Sequence, residues 1–547
     1  MNSAFISLMS LVFFAAGYRY YAVKMRRVWK ISKDNITPAH AKYNGMDFVP
    51  ARNWFFLFGH HFSSIAGAGP ILGPVIACAI WGWLPALIWV VLGSIFIGGP
   101  HDFSALMLSV RNGGSSIADV SEELLGKTAR FFFSVFLLLA LVLIIAVFAI
   151  VTAKTLIATP QIVIPTFGLI FTAVLTGLML YRWKTNAVLS TLMGLALMVL
   201  LVAAGQRYPV GLNCADPLRL WTLILLIYAG AASILPVNIL LQPRDYLSSY
   251  LLFAGLIIGY AGIFISRPVI NAPAFVSFTS VQGFVWPTIC IFIACGAISG
   301  FHSLVASGTT SKQISDERSA FRIGYGAMIL EGVLAVLAIL AVTAGLKWNG
   351  PGSYPAMVSG GDWIGVFSAG FGNITRPVIG KWGSFFAVIM LNAFVMTTLD
   401  SATRITRYIG QELFGDSLKI KLFKNNFVIT AVILMAAWWF STGPQARIWP
   451  LFGASNQLIA ALGLLVVSAY LFTKKMPSAH AVLPGVFMLV TTVTALVFEM
   501  IKNYGENKFL FILALLLLAM AVFMIIAAGK RMALLKNRED NIIPGEK

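Results

Sequence analysis

Residues 59–77 read GHHFSSIAGAGPILGPVIA, and this stretch decides the kind of fold the chain adopts. It is long and apolar enough to lie in a membrane, yet it carries His60, His61, Ser63 and Ser64, and then Gly67, Gly69, Pro70, Gly73 and Pro74. A regular helix is not expected to survive there. Each proline removes a backbone donor and clashes with the carbonyl four residues back, so carbonyls near Ala66 and Pro70 lose their helical partners. At membrane depth such groups must be met by neighbouring helices, ordered water, or a bound solute or cation. The other reading is a kinked packing helix whose glycines allow close approach.

Working outward, apolar runs long enough to cross a hydrocarbon core of about 30 Å recur from residue 4 to residue 529. Of the 547 residues, 59% are hydrophobic and 11% charged, and the mean hydropathy is +0.86. Soluble domains carry about 25% charged residues. The fold class expected is all-α, a polytopic transmembrane bundle of about fifteen spans, with the lipid bilayer as its main surroundings. The first run, residues 4–23, is followed directly by Lys24, Arg26 and Arg27 and reads as a retained span.

The net charge of +19 does not mark a nucleic-acid partner, because the Lys and Arg sit in short gaps between apolar runs instead of on one solvated face. Most of the 39 fall in odd-numbered gaps and the C-terminal tail. That asymmetry places the N-terminus outside and the C-terminus in the cytoplasm of an inner membrane. Cys78, Cys214, Cys290 and Cys295 have no metal-ligand or disulfide spacing. Three regions are expected: an N-terminal span with a basic loop (1–52), a core (53–472), and a two-span extension with its tail (473–547).

A second disruption lies in the ninth span, where residues 295–314, CGAISGFHSLVASGTTSKQI, bring Ser299, Gly300 and His302 into a membrane-length segment. In the orientation above it runs opposite to the second span, and opposed broken helices mark an inverted repeat. Ionisable residues inside spans are functional candidates, since each is costly to bury. Asp102, in GPHDF (99–103), can bind a cation or relay a proton, or be held by a partner for structure alone. Glu331 in the tenth span is less easily explained than Glu499, which can reach the headgroups. The eleventh span ends with Thr397, Thr398, Asp400 and Ser401, oxygen donors suited to Na⁺, with the carboxylate also able to carry H⁺. The alternative there is threonine back-bonding, with Asp400 pairing Arg404 one turn on.

His60 and His61, being adjacent, point to different sides of a helix, so a shared metal is not expected. Residues 347–381 form the longest outer loop, whose GDWIGVFSAGFGNI (361–374) reads either as a re-entrant piece or as a surface loop. No nucleophile elbow, zinc motif, phosphate loop or dinucleotide fingerprint occurs, so neither an enzyme nor an organic cofactor is indicated, and H⁺ or Na⁺ is the only expected ion. Gradient-driven transport remains. A nutrient sensor without net transport and a passive channel are the competing classes; no output domain supports the first, and no repeated pore ring the second.

Six blocks, namely residues 59–77, GPHDF (99–103), LLQPRDYLSSY (240–250), VASGTTSKQI (305–314), TTLDSATRITRYIGQE (397–412) and WPLFGASNQLIAAL (449–462), resemble the carbon starvation protein A (CstA) family. The resemblance implies a peptide or pyruvate importer made when carbon runs short, within the amino acid-polyamine-organocation superfamily, with a leucine-transporter-like inverted-repeat core. On that likeness the second and ninth spans are the two broken helices around the solute, drawing on His60, His61, Ala66, Gly67, Gly69, Ser299, Gly300 and His302. The backbone around Ala66 to Gly69, together with Thr397 and Thr398, matches cation-coordinating positions, while Asp400 beside them leaves proton coupling open; Asp102 and Ser401, read from the residues themselves, complete the coupling set.

Overall fold

The computed structural model describes residues 2–442 and 448–540; the end of the expected extension, 541–547, lies outside the described residues. Nearly everything described is helix. The elements that matter are α1 (Ser3–Val28), α2 (Trp54–Ile65), α3 (Gly69–Trp81), α4 (Trp83–Arg111), α5 (Lys127–Ala158), α6 (Pro160–Arg182) and α7 (Ala187–Arg207). There follow α8 (Pro217–Ile234), α9 (Leu241–Ser266), α10 (Val285–Phe292), α11 (Gly300–Gly308) and α12 (Ser319–Gly345). Last come α13 (Trp363–Ile379), α14 (Gly383–Gly410), α15 (Asn426–Ser441), α16 (Ile448–Thr473), α17 (Ala479–Asn503) and α18 (Lys508–Asp540). A two-residue antiparallel hairpin, Thr279–Ser280 with Gly283–Phe284, precedes α10.

Twelve helices among the described residues are long and apolar enough to cross a membrane, or 13 with α2 and α3 taken as one bent span. The fifteen expected segments come down to this number because the ninth divides into α10 and α11, and α15 has only 16 residues. Burial separates inner from outer layers. The apolar stretches of α12 and α16 are 94% and 100% buried, whereas those of α7 and α1 are 22% and 28% buried and show their apolar side chains to the bilayer.

The stretch 361–374 is neither irregular nor a surface loop: it forms most of α13. The Asp362 carboxylate accepts the Gly365 N–H at 2.9 Å and starts the helix. Gly370 then lies so near α12 that an added Cβ would stand 2.6 Å from the Ala341 carbonyl oxygen. Such small-residue contacts are how helices pack without a hydrophobic drive.

Candidate functional site

The second span does break, but not where both prolines would have it. α2 ends at Ile65, Ala66 turns out of the helix (φ −75°, ψ 66°), and the Gly67 N–H reaches back to the Ile65 carbonyl at 2.8 Å. α3 begins at Gly69 with Pro70 in its first turn, where a missing N–H costs nothing, and it runs on through Pro74. The bend is 41°. The ninth span breaks in the same manner: α10 stops at Phe292, the Ala297 N–H reaches the Cys295 carbonyl at 2.7 Å, and α11 starts at Gly300. Between them Gly296 takes φ +73°, a left-handed conformation that favours glycine.

The two breaks touch. A Cβ on Gly69 would stand 2.5 Å from Cys295 Sγ, one on Gly296 would stand 3.3 Å from Pro70 Cα, and one on Gly73 would collide with the Phe292 carbonyl. Glycine at these positions brings backbone against backbone in the middle of the bundle.

One polar cluster fastens the end of α2 to α9 and α14. His60 Nδ1 lies 2.7 Å from Asp245 Oδ2, and its Nε2 lies 3.2 Å from the Gln313 amide nitrogen. Ser64 donates to the same carboxylate at 3.1 Å and lies 2.9 Å from Ser401 Oγ, while Ser63 donates to the Asp245 carbonyl at 2.9 Å. The helix-end carbonyls of Ser63 and Ser64 accept from Thr397 at 2.6 Å and Thr398 at 3.1 Å. These are orphan groups of the last turn, satisfied by a facing helix.

Thr397 and Thr398 therefore meet the carbonyls of Ser63 and Ser64, one turn before the expected Ala66 and Gly69. Asp400 does not pair with Arg404. It forms an ion pair with Arg244 and accepts the Tyr228 hydroxyl at 2.6 Å. Arg404 instead reaches Asp47 at 3.1 Å and the carbonyls of Ala232 and Leu235.

A second cluster surrounds the other break. Asp102 Oδ1 holds His101 Nδ1 at 2.7 Å, and Asp102 Oδ2 holds His302 Nδ1 at 2.8 Å. On the far side of that ring, His302 Nε2 lies 3.1 Å from Glu331 Oε2, an ion-pair distance without hydrogen-bond alignment. Glu331 Oε1 accepts the Gly296 N–H at 3.3 Å. Asn456 caps α11, its Oδ1 accepting the Phe301 N–H at 2.9 Å and its amide donating to Ser299 at 2.9 Å. Gln457 donates to the Cys290 carbonyl at 2.8 Å.

Cys295, His302 and Glu331 offer atoms within 4.8 Å of one another. The Cys295 thiol, however, is bonded to Ser299 (3.6 Å) and Asn456 (3.7 Å), and His302 and Glu331 face each other, so the trio is tied up in its own contacts. As adjacency implied, His61 points away from His60: its Nδ1 meets Thr310 Oγ1 at 2.8 Å. The ionisable side chains of these clusters, His60, His101, Asp102, Asp245, His302, Glu331 and Asp400, are fully buried, and Arg244 is 1% exposed. A groove of about 770 Å³ between α6, α7, α9 and α14 touches Arg244 but none of the histidines; its lining of Leu169, Met198, Phe386 and Met396 is apolar.

Asp102 thus stands with His302, while Thr397, Thr398, Asp400 and Ser401 stand with His60. Asp245, Gln313, Asn456 and Gln457 were not among the expected site residues. Each lies inside one of the six quoted blocks, and a polar side chain in a membrane-length run is the signal that points to it.

The sequence profile described as "Carbon starvation protein CstA" matches residues 2–365 and 352–495. The chain belongs to the CstA family. Among CstA relatives, the Bacillus subtilis protein named Peptide transporter CstA is 32% identical, covering 97% of each chain. The Escherichia coli protein named Pyruvate/proton symporter BtsT is 28% identical over 94% of this chain and 84% of its own. Among solved structures, a mutant of the Eremococcus coleocola manganese transporter superposes with TM-score 0.54 at 13% identity, covering 89% of this chain and 99% of that one. At that identity the likeness concerns the fold, an inverted-repeat transporter bundle. This CstA-family chain is a multi-pass membrane transporter and not an enzyme.

Proposed function

We propose that the protein imports small peptides or pyruvate across the inner membrane, coupled to H⁺ or Na⁺. The observation that carries this reading is the pair of touching breaks, at residues 66–68 and 293–299, each with buried polar groups around it. Both solutes carry a carboxylate, and backbone N–H groups freed at a helix start are ready donors to one. The backbone of Gly69, Ser299 and Gly300 supplies such groups, with Ala66 and Gly67 forming the turn of the first break and His60, His61 and His302 beside them.

Two places serve the coupling ion. One is the oxygen-rich contact of Ser63 and Ser64 with Thr397, Thr398 and Ser401, next to Asp245 Oδ1 and Asp400 Oδ1, both buried without a hydrogen-bond partner among the described residues. The other is the buried cluster of Asp102 with His302 and Glu331. The transport core is 53–472, flanked by 1–52 and 473–547, with the N-terminus outside and the C-terminus in the cytoplasm.

Proteoliposomes loaded by imposed H⁺ or Na⁺ gradients test this with labelled dipeptide and labelled pyruvate. Uptake of neither under either gradient refutes the proposal. Accumulation against a concentration gradient rules out a sensor that binds without transporting.

A further inference from the structure

His302, in the first turns of α11, has a carboxylate at each ring nitrogen: Asp102 at 2.8 Å from Nδ1 and Glu331 at 3.1 Å from Nε2. With Nδ1–H donated to Asp102, Nε2 faces Glu331 with the Cys295 thiol beside it. Either the Nε2–Glu331 pair holds one proton, borne by the ring or by the carboxyl group, or two lone pairs face each other across 3.1 Å. The first is attractive and the second repulsive, and neither is screened by water at a fully buried site. Contact between α11 and α12 at this point therefore requires one proton.

We propose that the His302–Glu331 pair carries the coupling proton, an inference that rests on the coupled-transport reading above. Asp102 is the positioning residue, itself steadied by His101. The binding region senses the proton directly. Glu331 Oε1 accepts from Gly296 within the break, so loss of the proton weakens the grip on His302 and leaves an uncompensated negative charge at that backbone N–H. The step balances simply: one H⁺ binds the pair on one side of the membrane and leaves it on the other, with no other bond made or broken.

The groups facing the pair are few. α4 brings His101 and Asp102, α2 brings His61, the break brings Cys295, and α12 brings Glu331 itself. α16 contributes the amides Asn456 and Gln457. α14 meets α11 farther on, at Gly308 and Ile405, and its Asp400 is held by Arg244.

The experiment uses the full chain in proteoliposomes, with labelled pyruvate and labelled dialanine as probes. Three quantities are read: accumulation under an imposed pH gradient, solute exchange at equal pH, and solute-dependent proton influx. Glu331→Gln is expected to lose accumulation and proton influx yet continue exchange at a reduced rate, and Glu331→Asp to recover part of the coupling. His302→Gln is expected to lose proton influx as well. Wild-type accumulation and proton influx retained in Glu331→Gln or His302→Gln overturns the proposal; so does wild-type accumulation that follows Na⁺ with no proton influx, or that needs an added divalent ion and Cys295. A wild type that exchanges neither probe refutes the transport reading itself, a result distinct from all of these.

Discussion

Replacing Arg244 should expose how much the bundle depends on a single buried charge pair. Arg244 and Asp400 are 1% and 0% exposed, and the guanidinium also lies over the Tyr228 ring, 5.8 Å from its centroid. Arg244→Met keeps an apolar stem against that ring but leaves Asp400 with only the Tyr228 hydroxyl. Breaking one side of a buried pair costs about 3–5 kcal/mol, roughly two to four powers of ten in the folded fraction. Tyr228→Phe removes one hydrogen bond to a charged group, about 1.5–3 kcal/mol. The double variant Arg244→Met/Asp400→Leu leaves no unpaired charge and should recover most of the loss, since replacing a buried pair by apolar groups is often neutral. Equilibrium unfolding in mixed micelles measures these variants and the single change Asp400→Leu, and the cycle should give an interaction energy of at least about 2 kcal/mol. A double variant as unstable as the sum of its single changes would refute the reasoning, because the two charges would then not be answering each other.

Three further outcomes follow from the geometry. Thr398→Ala removes the hydroxyl on the Ser64 carbonyl and should cost about 1 kcal/mol, with any Na⁺-dependent thermal stabilisation reduced and Thr398→Ser restoring it. Gly296→Ala forces a side chain into φ +73° with its Cβ 2.9 Å from Ala335, and should abolish uptake even where protein still reaches the membrane, read by surface-quantified transport. Asp47, in the loop before α2, is pushed up by burial but pulled further down by Arg404, the Tyr408 hydroxyl, Arg407 and Lys312, so its carboxyl titrates below the ordinary 3.8. A depressed carboxyl stabilises fully above the unfolded value and loses that contribution as pH falls through the folded one. Asp47→Asn should therefore lower thermal stability at neutral pH and flatten its fall in acid, with faster proteolysis of the loop 29–53.

Periodicity and composition were enough to place the spans, because a helix that faces lipid must be apolar along its length whatever it packs against. Both breaks were legible too, since glycine, serine and histidine gather inside a membrane-length run mainly where the helix is interrupted or lines a polar site. Partners were not. Asp400 and Arg404, four residues apart, suggested a local pair; Arg244, 156 residues away, and the loop residue Asp47 win them instead because the bundle folds those elements alongside. Pro74 misled for a local reason: near the start of α3 its missing bond weakens one carbonyl, and packing in a buried helix is enough to keep the turn. α13 was hidden by its glycines, which look like loop punctuation in sequence and act as contact points once α12 lies against them.

The segment just after α11 gives the two clusters a mechanical connection. Thr310 holds His61, and Gln313 holds His60 while accepting the Gln242 amide at 2.6 Å. His60 in turn holds Asp245, which accepts from Ser64, and the Ser64 hydroxyl also meets that of Ser401 on α14. On the proton proposal, a shift of α11 away from α12, such as repulsion between an unprotonated His302 and Glu331 would produce, would be felt one helix length along at Thr310 and Gln313. It would reach the end of α2 there. Packed interiors respond to such shifts by changing between discrete arrangements and not by stretching. The short 310-type turn at Thr310–Lys312 thus joins the helix that carries His302 to the side chains of His60 and His61 on α2.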